Sequence, residues 1–427
     1  MPTHFGSNPI SLSAYWRLMR SNRNFRRLWS AQVVSEIGDW FYALAIYSLL
    51  LELTGRAESV ALAVVLQVLP QTFVGPSAGV LNDRISRRRV MITSDLARAL
   101  IVLAMLAVRT RELVWLVYPL LLAETMMAGF FEPARSAVIP NVVPREEIAV
   151  ANTLSTTTWS LNLAIGSALG GITAFFLGRD AVFLLNALSF LLSAVLIRRM
   201  EFGEPHLAGA APFRFRELAG LAPIQDGFRY VRSDPRLFAT LFVKTGLGFM
   251  GANNVLLPLL GRSLFRLHVA GAGPERQAML GMSLLMGARG FGALMGPLVS
   301  GSLAGGQESR FRAGIVFGFL LAAAGYVGIG LAGSGWLTAL LVILAHAGGS
   351  TIWVLSTTLL HLYTQDRFRG RVFAAELALC MLTISTSSYL AGVAVDGGVP
   401  VRSFAFYMGL SLLVPAAAWS SAQRLWR

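Results

Sequence analysis

Apolar runs separated by short polar turns recur along the whole chain, and no other feature limits the fold as strongly. They fall at about 27–52, 59–79, 90–108, 113–132, 150–177, 181–198, 236–261, 279–303, 312–332, 336–360, 371–394 and 402–423. At a rise of 1.5 Å per residue, about 20 apolar residues cross the hydrocarbon of a bilayer. With 55% hydrophobic and only 14% charged residues, against about 25% charged in a soluble protein, the chain has more apolar sequence than a soluble core needs. The expected fold is therefore an all-α polytopic membrane protein with twelve transmembrane helices. The longest polar stretch, 199–235, divides the chain into an N-terminal segment (1–26), six spans (27–198), a linker and six more spans (236–427). The halves read as diverged repeats, as in many transporters. Residues 1–9 read as disordered and 15–23 as an amphipathic surface helix.

The basic residues orient the chain. Of 36 lysines and arginines, 25 lie in the segments that are cytoplasmic if the N-terminus is inside, eight lie in the opposite loops, and three (Arg98, Lys244, Arg289) lie within spans. The positive-inside rule then puts both termini in the cytoplasm and the protein in the cytoplasmic (inner) membrane. It also accounts for the net charge of +14 without nucleic acid as a partner. The first apolar run is full length and reads as a retained anchor rather than a cleaved signal. A single cysteine, Cys380, excludes an intrachain disulfide and a cysteine metal cluster, and the five histidines show no metal spacing. No phosphate-binding loop surrounds Lys244, the only lysine, and no nucleophile elbow is present. Neither an enzyme nor a cofactor is expected.

The turn at 79–89 reads Gly-Val-Leu-Asn-Asp-Arg-Ile-Ser-Arg-Arg-Arg. A positive-inside loop explains its arginines, but not Gly79 and Asp83 at this spacing. The pattern Gly79, Asp83, Arg84, Arg87, Arg88 resembles the signature loop of the major facilitator superfamily, with Ser86 where that motif has its second glycine. Further stretches resemble the bacterial drug and siderophore exporters of that superfamily, the enterobactin-exporter and macrolide-efflux type. They include 24–29 (Asn-Phe-Arg-Arg-Leu-Trp), Gly38-Asp39, 133–137 (Pro-Ala-Arg-Ser-Ala), 166–171 (Gly-Ser-Ala-Leu-Gly-Gly) and 369–374 (Arg-Gly-Arg-Val-Phe-Ala). The stretch 166–171 is similar to the fifth-helix antiporter motif, with Ser167 in place of its proline.

That resemblance implies two pseudo-symmetric six-helix bundles around a cavity lined by the first, fourth, seventh and tenth helices. Asp39, Glu36 and Glu124 would face it, and an ionisable group within a span is a functional candidate by default. They are expected as proton-coupling groups, with structural hydrogen bonding as the alternative for Asp39 and Glu36. His346 reads as a proton relay or a neutral buried histidine. Glu132 is expected to latch onto Arg87 or Arg88 in the outward-facing state, and Asp83 to cap the eleventh helix near Arg371. Asp95 and Arg98 read as an intrahelical pair, Arg289 as the partner of a carboxylate or an anionic substrate, and Lys244 as a snorkelling side chain. Trp40, Met126, Phe249, Asn253, Asn254 and Trp353 are the other cavity candidates. The implied activity is proton-coupled efflux of hydrophobic or amphiphilic small molecules by a monomer. A lipid or lysolipid flippase, an importer of the same fold or a non-transporting sensor remains the alternative.

Overall fold

A computed structural model describes residues 12–208, 230–265, 273–304, 308–365 and 368–426. The surroundings of Gly79 and the side chain of Asp83 are outside the described set, and the cap expected of Asp83 falls there. All regular structure among the described residues is helical. A short α1 (Leu12–Ser21) precedes α2 (Arg23–Thr54), α3 (Ala57–Arg84), α4 (Arg87–Ala104), α5 (Val117–Val142), α6 (Ile148–Leu177) and α7 (Arg179–Arg198). After the linker come α8 (Pro235–Leu241), α9 (Val243–Leu247), α10 (Asn253–Leu264), α11 (Pro274–Ala304) and α12 (Glu308–Leu331). The chain continues with α13 (Gly335–Tyr363), α14 (Arg369–Asp396), α15 (Val401–Ser411) and α16 (Leu413–Ala422).

Local chemistry sets the boundaries. Asn22 caps α2 by accepting from the Phe25 amide at 2.9 Å, and Gly55, at φ 69°, takes the left-handed conformation that ends it. Ser86, the departure from the glycine of the signature loop, is the N-cap of α4 and accepts from the Arg89 amide at 3.2 Å. Eleven segments among the described residues are long and apolar enough to cross a membrane. Residues 236–261, expected as one span, run as α8, α9, a tighter 3₁₀ turn at Gly248–Ala252, and α10, with right-handed helical dihedrals kept at Phe242, Gly248 and Asn253. The tighter turn lies where packing is close. A Cβ on Gly248 would meet Thr383 at 2.6 Å, and one on Gly251 would meet the Ile384 backbone at 2.5 Å. These glycines let the segment lie against α14, and glycine lowers helix propensity where it sits.

Exposed side chains such as Leu100, Phe176 and Tyr407 give the surface the apolar character that lipid contact requires. The helices α2 to α7 pack on one another, and α10 to α15 do likewise. Long contacts of α3 with α14 and of α6 with α11 join these sets. The largest apolar core draws on both halves of the chain, for example Ile46 and Val60 with Leu256, Met282 and Ala391. Two smaller cores lie toward the end that carries the linker. One joins Phe25 of the N-terminal segment to first-half residues (Met91, Val138, Ile197), the other Val231 of the linker to second-half residues (Leu237, Leu360, Val372).

The opposite end is tied across the halves. The Ala57 and Glu58 amides donate to the Asp396 carboxylate at 2.8 and 2.9 Å, so the last residue of α14 caps the first turn of α3. Arg56 stands 3.6 Å from the same carboxylate, and the Tyr389 hydroxyl donates to Glu58 at 3.1 Å. Arg179 joins Glu275 at 2.9 Å and also pairs with Glu52.

Candidate functional site: buried charges between the spans

The first-half charges gather around Arg98 on α4. Its guanidinium donates to Asp95 at 2.6 Å, one turn earlier, as the i,i+3 spacing predicts. It reaches Asp39 on α2 at 3.6 Å and Ser35 at 3.4 Å. The Phe131 and Phe190 rings lie 4.8 and 4.1 Å from it, on α5 and α7. Glu124 on α5 is buried and within electrostatic reach of Arg98 and Asp39. Sequence reasoning placed Asp95 with Arg98 but missed that Arg98 also faces Asp39. Periodicity within one helix reveals the first contact; the second depends on how α2 crosses α4. Three polar atoms here are buried without a hydrogen-bond partner among the described residues: Asp39 Oδ1, Asp95 Oδ2 and Arg98 Nε. The Tyr42 hydroxyl, one turn from Asp39, is a fourth.

Glu36 belongs to a separate, satisfied network. It accepts from Gln32 at 2.8 Å and from Asn162 on α6 at 2.7 Å. Gln32 in turn accepts from Arg135 at 2.8 Å and donates to the Ser155 carbonyl at 3.0 Å. Arg135 pairs with Glu132 at 2.7 Å. The latch expected between Glu132 and Arg87 or Arg88 belongs to the outward-facing state, and in the arrangement seen here Glu132 pairs with Arg135 instead. Arg135 lies one turn along the same helix, and its nearby guanidinium takes the carboxylate. Arg87 donates to the Ala137 carbonyl at 2.9 Å, and Arg88 to the Arg198 carbonyl. Arg84, Arg88, Arg89 and Arg198 line a cavity of about 870 Å³ with Glu204, which accepts from Ser86 at 2.6 Å. Arg371 sits in the first turn of α14, with its guanidinium 5.9 Å from the Phe368 ring.

The second-half charges are arranged differently. Lys244 on α9 pairs with Glu376 on α14 at 2.9 Å, and both residues are buried. Its ammonium lies 4.2 Å from the centre of the Trp353 ring on α13. The snorkelling expected of Lys244 is thus corrected: a buried carboxylate on the neighbouring helix holds the ammonium inside. Glu376 was not singled out from the sequence, because its position near the start of a span looks like a membrane boundary. Arg289 on α11 donates to Asn254 at 2.7 Å, not to a carboxylate. His346 has its Nδ1 3.0 Å from the Val342 carbonyl and its Nε2 3.5 Å from the Tyr326 hydroxyl. One ring proton on Nδ1, with Tyr326 donating to Nε2, satisfies both contacts.

The aromatic candidates divide. Trp40 meets Trp159 edge-on at 5.9 Å, and Met126 is partly exposed on α5. Phe249 lines a cavity of about 300 Å³ with Thr383, Ser387, Leu390 and Tyr407. Asn253 donates back to the Met250 carbonyl at 2.5 Å. Among the described residues no group of three or more histidine, cysteine or acidic side chains is placed to hold a metal ion.

The family model described as transmembrane secretion effector matches residues 14–421. The MFS-type transporter YfiS of Bacillus subtilis is 30% identical over 227 residues, 52% of this chain and 53% of that protein. Macrolide efflux protein A of Streptococcus pyogenes is 29% identical over 256 residues, 58% of this chain and 60% of the relative. The chain thus matches little more than half the length of either relative. A crystal structure of the peptide transporter POT superposes with a TM-score of 0.75 at 13% identity, covering 95% of both chains. At that identity the likeness is one of fold.

Proposed function

The chain belongs to the transmembrane secretion effector family of major facilitator transporters, and on that premise we propose that it exports hydrophobic or amphiphilic small molecules in exchange for protons. Residues 27–198 and 236–427 act as two six-helix bundles joined by the linker 199–235. The segment α8 to α10 supplies the twelfth crossing. The protein works as a monomer in the cytoplasmic membrane with both termini and the segment 1–26 inside. The relative named for macrolide efflux supports export of a bulky amphiphile.

One observation carries the proton assignment. Asp39 Oδ1 is buried and without a partner beside a guanidinium shared with Asp95 and Glu124. One arginine cannot balance three carboxylates in a low-dielectric interior, and exchangeable protons complete the balance. Asp39 keeps a third of its side chain exposed (36%), so a proton can reach it from the cavity. Asp39 and Glu124 take up and release the proton, while Arg98 holds their charge in both states. Asp95, closest to Arg98, stays paired.

Alternating access follows from the two ends. The contacts of Asp396 with the first turn of α3, and of Arg179 with Glu275, close the external side. The separate cores near the linker correspond to halves parted toward the cytoplasm. Opening outward breaks the Asp396 cap and brings the signature-loop arginines toward α14.

Everted vesicles with a lumenal pH dye test this reading. Adding macrolides and other amphiphiles to acidified vesicles is expected to release protons with wild-type protein. Asp39→Asn or Glu124→Gln, at equal abundance, abolishes the release. Full substrate-dependent release in both variants would sink the assignment. Substrate uptake with no proton movement would leave export standing and remove the coupling.

A further inference from the structure

The pair formed by Lys244 and Glu376 is half-satisfied. One carboxylate oxygen accepts from the ammonium at 2.9 Å, while the other, Oε1, is buried with no hydrogen-bond partner among the described residues. Lys244 is 4% exposed and Glu376 1%. A buried pair left in this state is weak support for stability, since apolar residues of similar volume do as well. Trp353 completes the group. Its ring draws the ammonium at 4.2 Å, yet the residue is 38% exposed and so open on one side. Carboxylate and indole face together are the elements that recognise an organic ammonium ion. Here a lysine of the chain itself occupies that place.

We propose that Glu376 and Trp353 form a subsite for the protonated amine of an amphiphilic substrate, and that Lys244 is an internal stand-in which the substrate displaces. This rests on the export reading above and narrows its substrate class. The unmet valence is an acceptor, Glu376 Oε1, which calls for a donor and not for an anion. The exchange conserves charge in the site: one ammonium leaves Glu376 as another arrives. Lys244 swings on its four-carbon stem toward the cavity water, a movement that a flexible ammonium allows and a planar guanidinium does not. When substrate departs, Lys244 returns, so the empty site never carries a bare buried carboxylate. The lysine thereby lowers the cost of the empty state and sets a threshold that neutral compounds do not have to meet. It also separates two tasks, with protons at Asp39 and cargo charge at Glu376.

The test uses purified full-length protein in one detergent and three radiolabelled probes on the same alkyl skeleton: dodecyldimethylamine, dodecanol and dodecanoate. Each probe is compared with itself across variants, so partition into micelles cancels. Lys244→Met removes the competitor and is expected to tighten amine binding about tenfold, with dodecanol unchanged. Because that variant leaves Glu376 without its cation, the neutral double variant Lys244→Met/Glu376→Gln is measured beside it. It is expected to bind dodecanol as wild type does and to lose its preference for the amine. Trp353→Leu weakens the amine about threefold and spares the alcohol. The inference is overturned if the double variant keeps the wild-type amine preference. It is equally overturned if dodecanoate binds best and Lys244→Met abolishes that binding, which would make Lys244 an anion site. If wild-type protein binds none of the probes, the export reading itself fails and the inference falls with it.

Discussion

The two halves of the chain bury charge in opposite ways. Around Arg98 there are three carboxylates for one cation, and four polar atoms of that region lack partners. Around Lys244 there is one carboxylate for one cation, with an aromatic ring against it. Arg289 has an asparagine in place of an acid. An acid-rich cluster has places for protons to come and go, whereas a balanced pair has none to spare and only changes partner. The contrast assigns the first half to the coupling ion and the second half to the charge of the cargo.

The largest effect should come from Arg98→Leu. It leaves Asp95, which is 0% exposed, and the half-buried Asp39 without their shared cation. Breaking a buried pair by removing one partner costs about 3–5 kcal/mol. We expect poor abundance, a much lower thermal midpoint and no flux. Arg98→Lys keeps the charge but not the fork that reaches Asp39 and Asp95 together. It should restore abundance and leave transport impaired. Lys244→Met strands only one carboxylate and should fold better than Arg98→Leu. Thermal midpoints of the three variants in detergent check the order. Equal destabilisation by Arg98→Leu and Lys244→Met would erase the contrast between the halves.

Much of this was legible in the sequence, and what was not depended on contacts between helices. Apolar length marks the spans, because a bilayer sets a minimum that globular cores do not impose. Asp39, Glu124 and Arg98 stand out for the same reason: charge within a span is costly wherever it lies. The partner of each charge is a different matter. Glu132 has Arg135 three residues on and pairs with it here, a contact the spacing along one helix allows and sequence reasoning passed over. Lys244 and Glu376 are 132 residues apart, and no periodicity connects them. The tightening of the helix at 248–252 has no mark in the sequence. Gly248 and Gly251 are ordinary in a packed membrane helix until Thr383 and Ile384 are seen against them.

The smallest expected effect sharpens the comparison inside the first half. Glu36 and Asp39 share a face of α2, and both are acids within a span, yet only one has an orphaned oxygen. Each Glu36 oxygen accepts a hydrogen bond, from Gln32 at 2.8 Å and from Asn162 at 2.7 Å. Such a carboxylate serves as a tie between α2 and α6. Glu36→Gln keeps the shape but turns one acceptor into a donor facing an amide that also donates, costing about 1–3 kcal/mol. Rotating the side-chain amide of Asn162 relieves part of this, so the loss should lie at the low end. Proton release per substrate in the everted-vesicle measurement is expected to match wild type, with a modest fall in thermal midpoint. Loss of proton release in Glu36→Gln at wild-type abundance would show that a satisfied carboxylate can carry the ion. The link between an unpartnered oxygen and proton exchange, on which the assignment of Asp39 rests, would then be gone.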